Sequence, residues 1–114
     1  MKYILRFRAV NKNTFTEIKY GKKTVETRAA TVKYRSIKAG DILVLSCGKE
    51  RFEKKVKRAK IYKTISSLVR AYPIKKIMPK INSEKELREA YYSYPKYKEK
   101  IKKFGLIALE LKLK

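Results

Sequence analysis

The chain has 114 residues, enough for one domain with a single buried core, and carries 32 lysine and arginine residues against 10 aspartate and glutamate residues. The formal net charge of +22 attracts polyanions and disfavours basic partners. With no histidine and one cysteine, the chain can form no intrachain disulfide, and it lacks the ligands of a typical zinc site and the side chain for histidine-based catalysis.

The positive charge has two interpretations. Most of the basic residues are lysines, and lysine enrichment is also a feature of hyperthermophile proteins, where it comes with matching glutamate. Acidic residues are few here, so we expect contact with nucleic acid, with a merely basic surface as the alternative.

No stretch of the sequence indicates export or membrane insertion. The first eight residues are too short and too interrupted by charge for a signal sequence, and no apolar run approaches the roughly 18 residues of a membrane span. We therefore expect a soluble, intracellular and cytoplasmic protein with no membrane partner.

The N-terminal part predicts a strand and a short helix. Basic and apolar residues alternate over residues 2–10, which is typical of a half-buried strand with a basic outer face. Thr14 and Glu17 match a capping box, which favours a helix from Thr14 to Tyr20. Gly21 is then the expected left-handed helix terminator.

A second strand is expected from Thr24 onward, where β-branched residues alternate with charged ones. Alternation places Thr24, Glu26 and Arg28 on one face, with Lys23 at the turn before them. In one interpretation, Glu26 forms a solvated ion pair with Arg28 or a lysine. In the other, which we favour, Lys23 and Arg28 bind an anion or a base edge in a cleft, and Glu26 accepts hydrogen bonds there.

The middle of the chain predicts a loop and a buried strand. Residues 29–36 have little periodicity and are expected to pass over the mouth of the cleft, where Tyr34 either stacks on a base or shields the core. A turn at residues 38–41 precedes the apolar residues 42–45, which predict a strand buried on both sides. Cys47 is expected to be a small core or turn residue rather than a nucleophile.

A long strand and a short helix follow. Residues 51–62 alternate with a change of face partway, which predicts a strand with a bulge near position 57 or 58. Thr64 or Ser66 is expected to cap a short helix that Pro73 ends.

The C-terminal third predicts an extended connector at residues 73–79, two helices and a closing strand. The first helix begins after a capping box at Ser83, and the second has Pro95 at its first position and ends at Gly105. In the strand of residues 106–113, the odd-numbered positions are expected to face inward.

This element order favours an α+β domain spanning residues 1–114, built as a small mixed, partly closed β-barrel with flanking helices.

The residues from Gly21 to Arg28, followed by Ile37 to Val44, resemble the ASCH domain family, a branch of the PUA-like superfamily. The family's pattern is a helix ending in Gly-x-Lys, then Thr-x-Glu-x-Arg, then a Gly-Asp turn before the next strand. The matching residues, in order, are Gly21, Lys23, Thr24, Glu26, Arg28, Gly40 and Asp41. Tyr94-Pro95 and the closing strand also suit the small archaeal-type, single-domain members, so the resemblance covers most of the chain. It implies the same PUA-like barrel.

The resemblance also raises an enzymatic alternative. Some ASCH members are amidohydrolases of an acetylated cytidine that use a Lys and a Thr of this motif with a Glu from a later helix, and another branch is proposed to cleave RNA. Here Lys23 matches the Lys, Glu26 stands at the Thr position, and the helix of residues 66–72 has no Glu. We therefore do not expect the amidohydrolase activity. Lys23 and Glu26 are candidate catalytic residues only if the chain acts on RNA by general acid–base chemistry.

We expect a nucleic-acid-binding module, with RNA as the favoured ligand. The alternatives are a small hydrolase or ribonuclease in the same cleft and a basic scaffold for an acidic protein. Basic residues interleaved with tyrosines at residues 60–63 and 91–103 provide either stacking platforms or half-buried helix positions. The candidate binding residues are Lys23, Thr24, Glu26, Arg28, Arg6, Arg8, Lys33, Tyr34 and Arg35. No metal or cofactor is expected, and the oligomeric state stays open.

Overall fold

A five-stranded, curled sheet organises the fold in the computed structural model, which describes residues 1–112. In the order β1-β3-β4-β5-β2, β1 runs parallel to β3 and every other pair is antiparallel. The strands are β1 (Lys2–Phe7), β2 (Val25–Ala29), β3 (Ile42–Cys47), β4 (Glu50–Tyr62) and β5 (Leu106–Leu111). This half-barrel confirms the predicted α+β class with a mixed, partly closed barrel.

Five helices flank the sheet within residues 1–112, and a 3₁₀ turn follows β1. The helices are α1 (Lys12–Lys19), α2 (Ile65–Ala71), α3 (Ile74–Ile77), α4 (Glu84–Tyr92) and α5 (Tyr97–Phe104), and the 3₁₀ turn is Ala9–Asn11. None of the helices within residues 1–112 is both long and apolar enough to cross a membrane.

Apolar side chains form two buried clusters, one on each side of β5. Phe15 and Ile18 of α1 pack in one cluster with β1, β3 and part of β5, whereas α2 to α5 pack in a second cluster against Val25 and the other side of β5. Ile107 and Leu109 belong to the first cluster, while Leu106 belongs to the second.

The closing strand therefore differs from its expected one-sided burial. Because β5 lies between β4 and β2 and helices cover its other face, its even-numbered Leu106 and Ala108 are as buried as its odd-numbered residues. The predicted inward position of Leu113 and outward position of Lys114 lie outside the described residues.

The prediction that β3 is buried on both sides was wrong, because only one of its faces is buried. Leu43, Leu45 and Cys47 are buried, but the alternate positions Ile42 and Val44 are only half-buried because they lie on the face of the strand opposite the core cluster. Cys47 is 6% exposed, which confirms a small core residue.

The predicted start of the first helix, at Thr14, was also wrong. The helix begins at Lys12, and Asn11 stands at its N-cap without a side-chain hydrogen bond, so the capping box at Thr14 does not form. The 3₁₀ turn has already reversed the chain after β1, which ends at Phe7 rather than at residue 10. Gly21 does adopt the left-handed conformation, with φ of 80°.

Residues 73–79 are not an extended connector, because α3 forms one helical turn in which Met78 N donates to the Ile74 carbonyl oxygen at 2.8 Å. This turn brings Ile77 fully into the core. Pro95 precedes α5 instead of starting it, because Lys96 adds a left-handed residue at the N-cap.

Several local predictions were confirmed. The register of β4 against β5 shifts between Val56 and Arg58, as expected for a bulge. Thr64 and Ser67 form a reciprocal capping box on α2, and the Ser83 hydroxyl accepts a hydrogen bond from the first turn of α4.

Candidate nucleic-acid interface

A cavity of about 410 Å³ lies where the two edge strands of the sheet, β1 and β2, approach each other. Its walls come from the end of β1, from α1, from β2, from residues 78–81 and from the α4–α5 turn. Five basic and two acidic side chains line it, namely Arg6, Arg8, Lys23, Arg28 and Lys80 with Glu17 and Glu26. The cavity therefore favours an anionic ligand.

Three charged residues of the motif form a buried ion network on the inner wall of the cavity. The Lys23 Nζ lies 3.4 Å from Glu26 Oε1, and Arg28 Nε donates to Glu26 Oε2 at 3.0 Å. The Lys23 side chain is 2% exposed and the Glu26 side chain 5%. Lys23 Nζ also donates to the backbone carbonyl oxygens of Val25, at 3.0 Å, and of Ile77.

The ion network combines features of both interpretations of the motif. Glu26 is paired with its neighbours, as the first interpretation supposed, but these ions are buried rather than solvated. All three residues line the cavity, as the second interpretation supposed. The backbone explains this placement, because Gly21 ends α1 and β2 then directs Glu26 and Arg28 to the same side.

Burial and charge act in opposite directions on the protonation of the ion network. Burial lowers the pKa of Lys23, and its attraction to Glu26 offsets this only in part. Burial alone would raise the pKa of Glu26, but the charges and hydrogen bonds of Lys23 and Arg28 lower it below its ordinary value. Glu26 is therefore a carboxylate at neutral pH, and the Lys23 Nζ has three acceptor oxygens around it, from Glu26, Val25 and Ile77.

A second wall of the cavity is aromatic. Tyr91 and Tyr97 stack with ring centroids 6.5 Å apart, and Tyr94 meets Tyr97 edge-on at 5.2 Å. The Tyr91 hydroxyl is hydrogen-bonded to Thr27 Oγ1, and the Tyr97 hydroxyl accepts a hydrogen bond from Ala29 N at 3.3 Å.

These phenols remain neutral at physiological pH, because burial raises the pKa of Tyr91, Tyr94 and Tyr97 above the ordinary tyrosine value. The hydroxyl of Tyr91 reaches a protein partner and not only water, which differs from the half-buried alternative expected from the sequence. The wall is therefore uncharged, and Tyr94, at 37% exposure, is its exposed ring.

The candidate binding residues fall into two groups in space. Those that line the cavity are Arg6, Arg8, Lys23, Glu26 and Arg28, whereas Thr24, Lys33, Tyr34 and Arg35 lie outside its lining. Tyr34 packs against the core cluster of α1, and its hydroxyl accepts a hydrogen bond from Arg28 Nη1 at 3.4 Å. Tyr34 therefore adds a hydrogen bond to the ion network through Arg28, and its role in binding stays a prediction.

Sequence reasoning missed much of the cavity's lining. Thr27 was expected on the opposite face from Glu26, yet it also lines the cavity, where its hydroxyl is hydrogen-bonded to that of Tyr91. Residues 78–81 and the α1 residues Asn13 and Thr14 had no signal that could place them there. The tyrosines of residues 91–103 were expected to provide either stacking platforms or half-buried helix positions, and neither alternative placed them on a wall of this cavity.

Neither a metal site nor an unpaired polar group is present in the part of the chain that the structure describes. Residues 1–112 contain no group of three or more potential metal-ligating side chains, and no buried side-chain polar atom among them lacks a hydrogen-bond partner.

Comparisons with known proteins agree with this architecture. The solved structure of hypothetical protein PH0355 is similar to the chain, with a TM-score of 0.84 and 29% identity over 98% of both chains. Protein PF0455 from Pyrococcus furiosus matches with a TM-score of 0.76 and 26% identity, over 98% of this chain and 96% of its own. No curated protein matches at a significant level. The model of the ASCH domain matches residues 9–114, nearly the whole chain, and the chain therefore belongs to the ASCH domain family.

Proposed function

We propose that this protein is a nucleic-acid-binding module whose favoured ligand is RNA and whose binding site is the cavity between β1 and β2. The observation that carries the proposal is the composition of that cavity, which combines a basic wall with an aromatic one in a chain of net charge +22. Proteins bind single-stranded nucleic acid by this combination, because cations attract the phosphates while rings stack on bases.

The dimensions of the cavity support the same ligand class. Its volume of about 410 Å³ is within the range of roughly 300–1,000 Å³ that is typical of small-molecule sites. This volume can hold part of a polynucleotide chain, such as a single nucleotide, but it cannot hold a duplex. Membership of the ASCH family, a PUA-like group, is consistent with nucleic-acid binding in general.

The roles within the cavity follow from exposure. Arg6 and Arg8 belong to the end of β1 and the residue after it, and both are exposed or half-buried, so their guanidinium groups are available to phosphates. Lys23 and Glu26 are bound to each other and to backbone groups, so they shape and polarise the inner wall. The Arg28 guanidinium, 5.0 Å from the Phe7 ring centroid, joins the two strands across the cavity.

A hydrolytic function in the same cavity has less support. Lys23 and Glu26 would have to act as acid and base, yet each already has its hydrogen-bonding groups engaged within the protein. Product formation from RNA that is lost in Lys23→Ala, with binding retained, would favour this alternative instead.

The test is fluorescence-anisotropy binding of labelled single-stranded RNA, duplex RNA and duplex DNA at several salt concentrations. Asn13→Trp places a large neutral side chain at the cavity without changing charge, and Val32→Trp is its control, since Val32 is 80% exposed and outside the lining. We expect Asn13→Trp to weaken RNA binding severalfold and Val32→Trp to leave it unchanged. Equal affinities in both variants would refute the cavity as the binding site.

Charge is tested separately from the cavity. Arg6→Ala/Arg8→Ala should reduce the log–log salt slope for single-stranded RNA by about 1.4, which is two phosphate contacts of about 0.7 each. The matched control is Lys38→Ala/Lys55→Ala, which removes two exposed charges near Ile42, at the other end of β3. The same slope change in both double variants would mean that only the delocalised charge binds RNA. Binding of polyglutamate but not RNA would support the scaffold alternative.

A further inference from the structure

The turn between α4 and α5 carries an exposed surface that continues outward from the cavity. We call it the tyrosine–lysine turn and define it as Tyr92, Tyr94, Lys96 and Lys98. Tyr92 is 40% exposed and Tyr94 is 37% exposed, so both are large aromatic side chains that remain accessible to solvent. Tyr94 also lines the cavity, so the turn begins at its mouth.

A path of aromatic rings leads from inside the cavity to this surface. Tyr91 is 1% exposed and stacks on half-buried Tyr97, whose ring meets the edge of Tyr94. Tyr92, next to Tyr91 along α4, is outside the cavity lining. Exposure therefore increases along the ring contacts, from Tyr91 through Tyr97 to Tyr94.

Positive charge accompanies the rings. The Lys98 Nζ lies 5.7 Å from the Tyr92 ring centroid, and the Lys100 Nζ lies 5.9 Å from that of Tyr97. The segment of residues 96–103 contains five lysines and one acidic residue, Glu99. A lysine beside an exposed ring is suited to a phosphate next to a stacked base.

The backbone at Lys96 is a second, independent observation. Lys96 has φ of 61° and ψ of 10°, and among residues 1–112 it is the only non-glycine residue with a positive φ. Glycine adopts this conformation without a steric penalty, whereas a residue with a Cβ pays one. Strained residues of this kind cluster at functional sites, and Lys96 lies in a turn where Tyr97 N donates to the Tyr94 carbonyl oxygen at 3.1 Å.

We propose that the tyrosine–lysine turn is a subsite for the unpaired nucleotides that adjoin the one in the cavity. The inference rests on the proposed function and adds a substrate class to it, namely single strands. Tyr92 and Tyr94 would stack on bases, which are accessible only when unpaired, while Lys96 and Lys98 bind the phosphates between them. A duplex could bind only to the lysines, because its bases already stack on each other.

The test compares Tyr92→Ala with Tyr20→Ala in binding to an unstructured single-stranded RNA and to the same sequence as a duplex. Tyr20 is a matched control, because it is 70% exposed, lies outside the cavity lining and has the Lys19 Nζ 5.7 Å from its ring centroid. We expect Tyr92→Ala to lose about 5- to 150-fold in affinity for the single strand and little for the duplex. Tyr20→Ala should leave both affinities unchanged.

Lys96→Gly provides a second measurement in which stability and binding move in opposite directions. Removing the Cβ from a left-handed residue should raise the melting temperature, while losing one phosphate contact should weaken single-strand binding about fivefold near 0.1 M salt. A variant that is more stable and binds as tightly as the wild type would contradict the proposal.

The outcomes separate this inference from the proposed function. If Tyr92→Ala and Tyr20→Ala both bind the single strand like the wild type, the tyrosine–lysine turn is not a subsite, although Asn13→Trp still reports on the cavity. If Tyr92→Ala weakens single-strand and duplex binding equally, stacking on unpaired bases is wrong. If Asn13→Trp has no effect, the cavity function fails, whatever the turn does.

Discussion

The buried ion network predicts that Glu26→Gln will be far more destabilising than the same change at the surface. Glutamine keeps the shape of the side chain but removes its charge, which leaves Lys23 and Arg28 as neighbouring cations with no carboxylate between them. With Lys23 only 2% exposed, water cannot replace the lost partner. Removing one member of a buried ion pair costs about 3–5 kcal/mol, a large part of the roughly 5–15 kcal/mol stability of a typical domain.

Urea unfolding followed by circular dichroism measures this cost, and Glu53→Gln is the matched control. Glu53 Oε2 lies 3.0 Å from the Lys2 Nζ, the same distance as the Arg28–Glu26 hydrogen bond, but its side chain is 51% exposed. A surface pair of this kind contributes about 0–1 kcal/mol. Equal losses of unfolding free energy in the two variants would refute the buried network.

A double variant identifies the origin of the cost. Lys23→Met/Glu26→Gln removes the uncompensated ammonium together with the carboxylate, so it should be more stable than Glu26→Gln alone. If the double variant is less stable than the wild type by the sum of the two single-variant losses, the two side chains do not interact, and the reasoning from burial is wrong.

Two further predictions concern the backbone and pH. Gly105→Ala should cost about 3 kcal/mol in urea unfolding, because φ is 78° and a Cβ would lie 2.6 Å from the Tyr62 carbonyl oxygen. Gly48→Ala, with φ of 61° and nothing within 4 Å of its Cβ, should cost less, and an equal loss would contradict this account. Because the pKa of folded Glu26 is lowered from 4.5, its contribution to stability is fully present above about pH 4.5 and is lost as the pH falls through the folded value. The unfolding free energy of Glu26→Gln should therefore fall less below pH 4.5 than that of the wild type, and parallel curves would contradict the assignment.

Local signals in the sequence predicted the features that local interactions determine. The Thr64 cap, the glycine terminators at Gly21 and Gly105, and the bulge of β4 each depend on residues within a few positions of one another. The alternation of β1 identified its buried side, since Leu5 is fully buried. The motif from Lys23 to Arg28 located the centre of the candidate site for the same reason, because alternation along one strand places its side chains.

The predictions that were wrong concern features that depend on contacts between distant parts of the chain. The four-residue α3 is favoured by the burial of Ile77 and by the hydrogen bond from Lys23 to its carbonyl oxygen, neither of which a local pattern contains. The aromatic wall requires α5 to pack near β2, where the Tyr97 hydroxyl meets Ala29 N. Periodicity identifies a face of a helix or strand, but it does not identify which other element covers that face.

The position of β2 in the sheet sets the order in which the site can be assembled as the polypeptide is made. Within the described residues this strand pairs only with β5, so Val25 meets Glu110, which lies much later in the sequence. At about 5–20 residues per second, roughly 4–17 s separate the synthesis of these two residues. During that interval β2 has no partner strand, so the edge that closes the cavity is not yet in place. The cavity is therefore completed only after β5 has been synthesised, although its lining residues precede β5 in the chain.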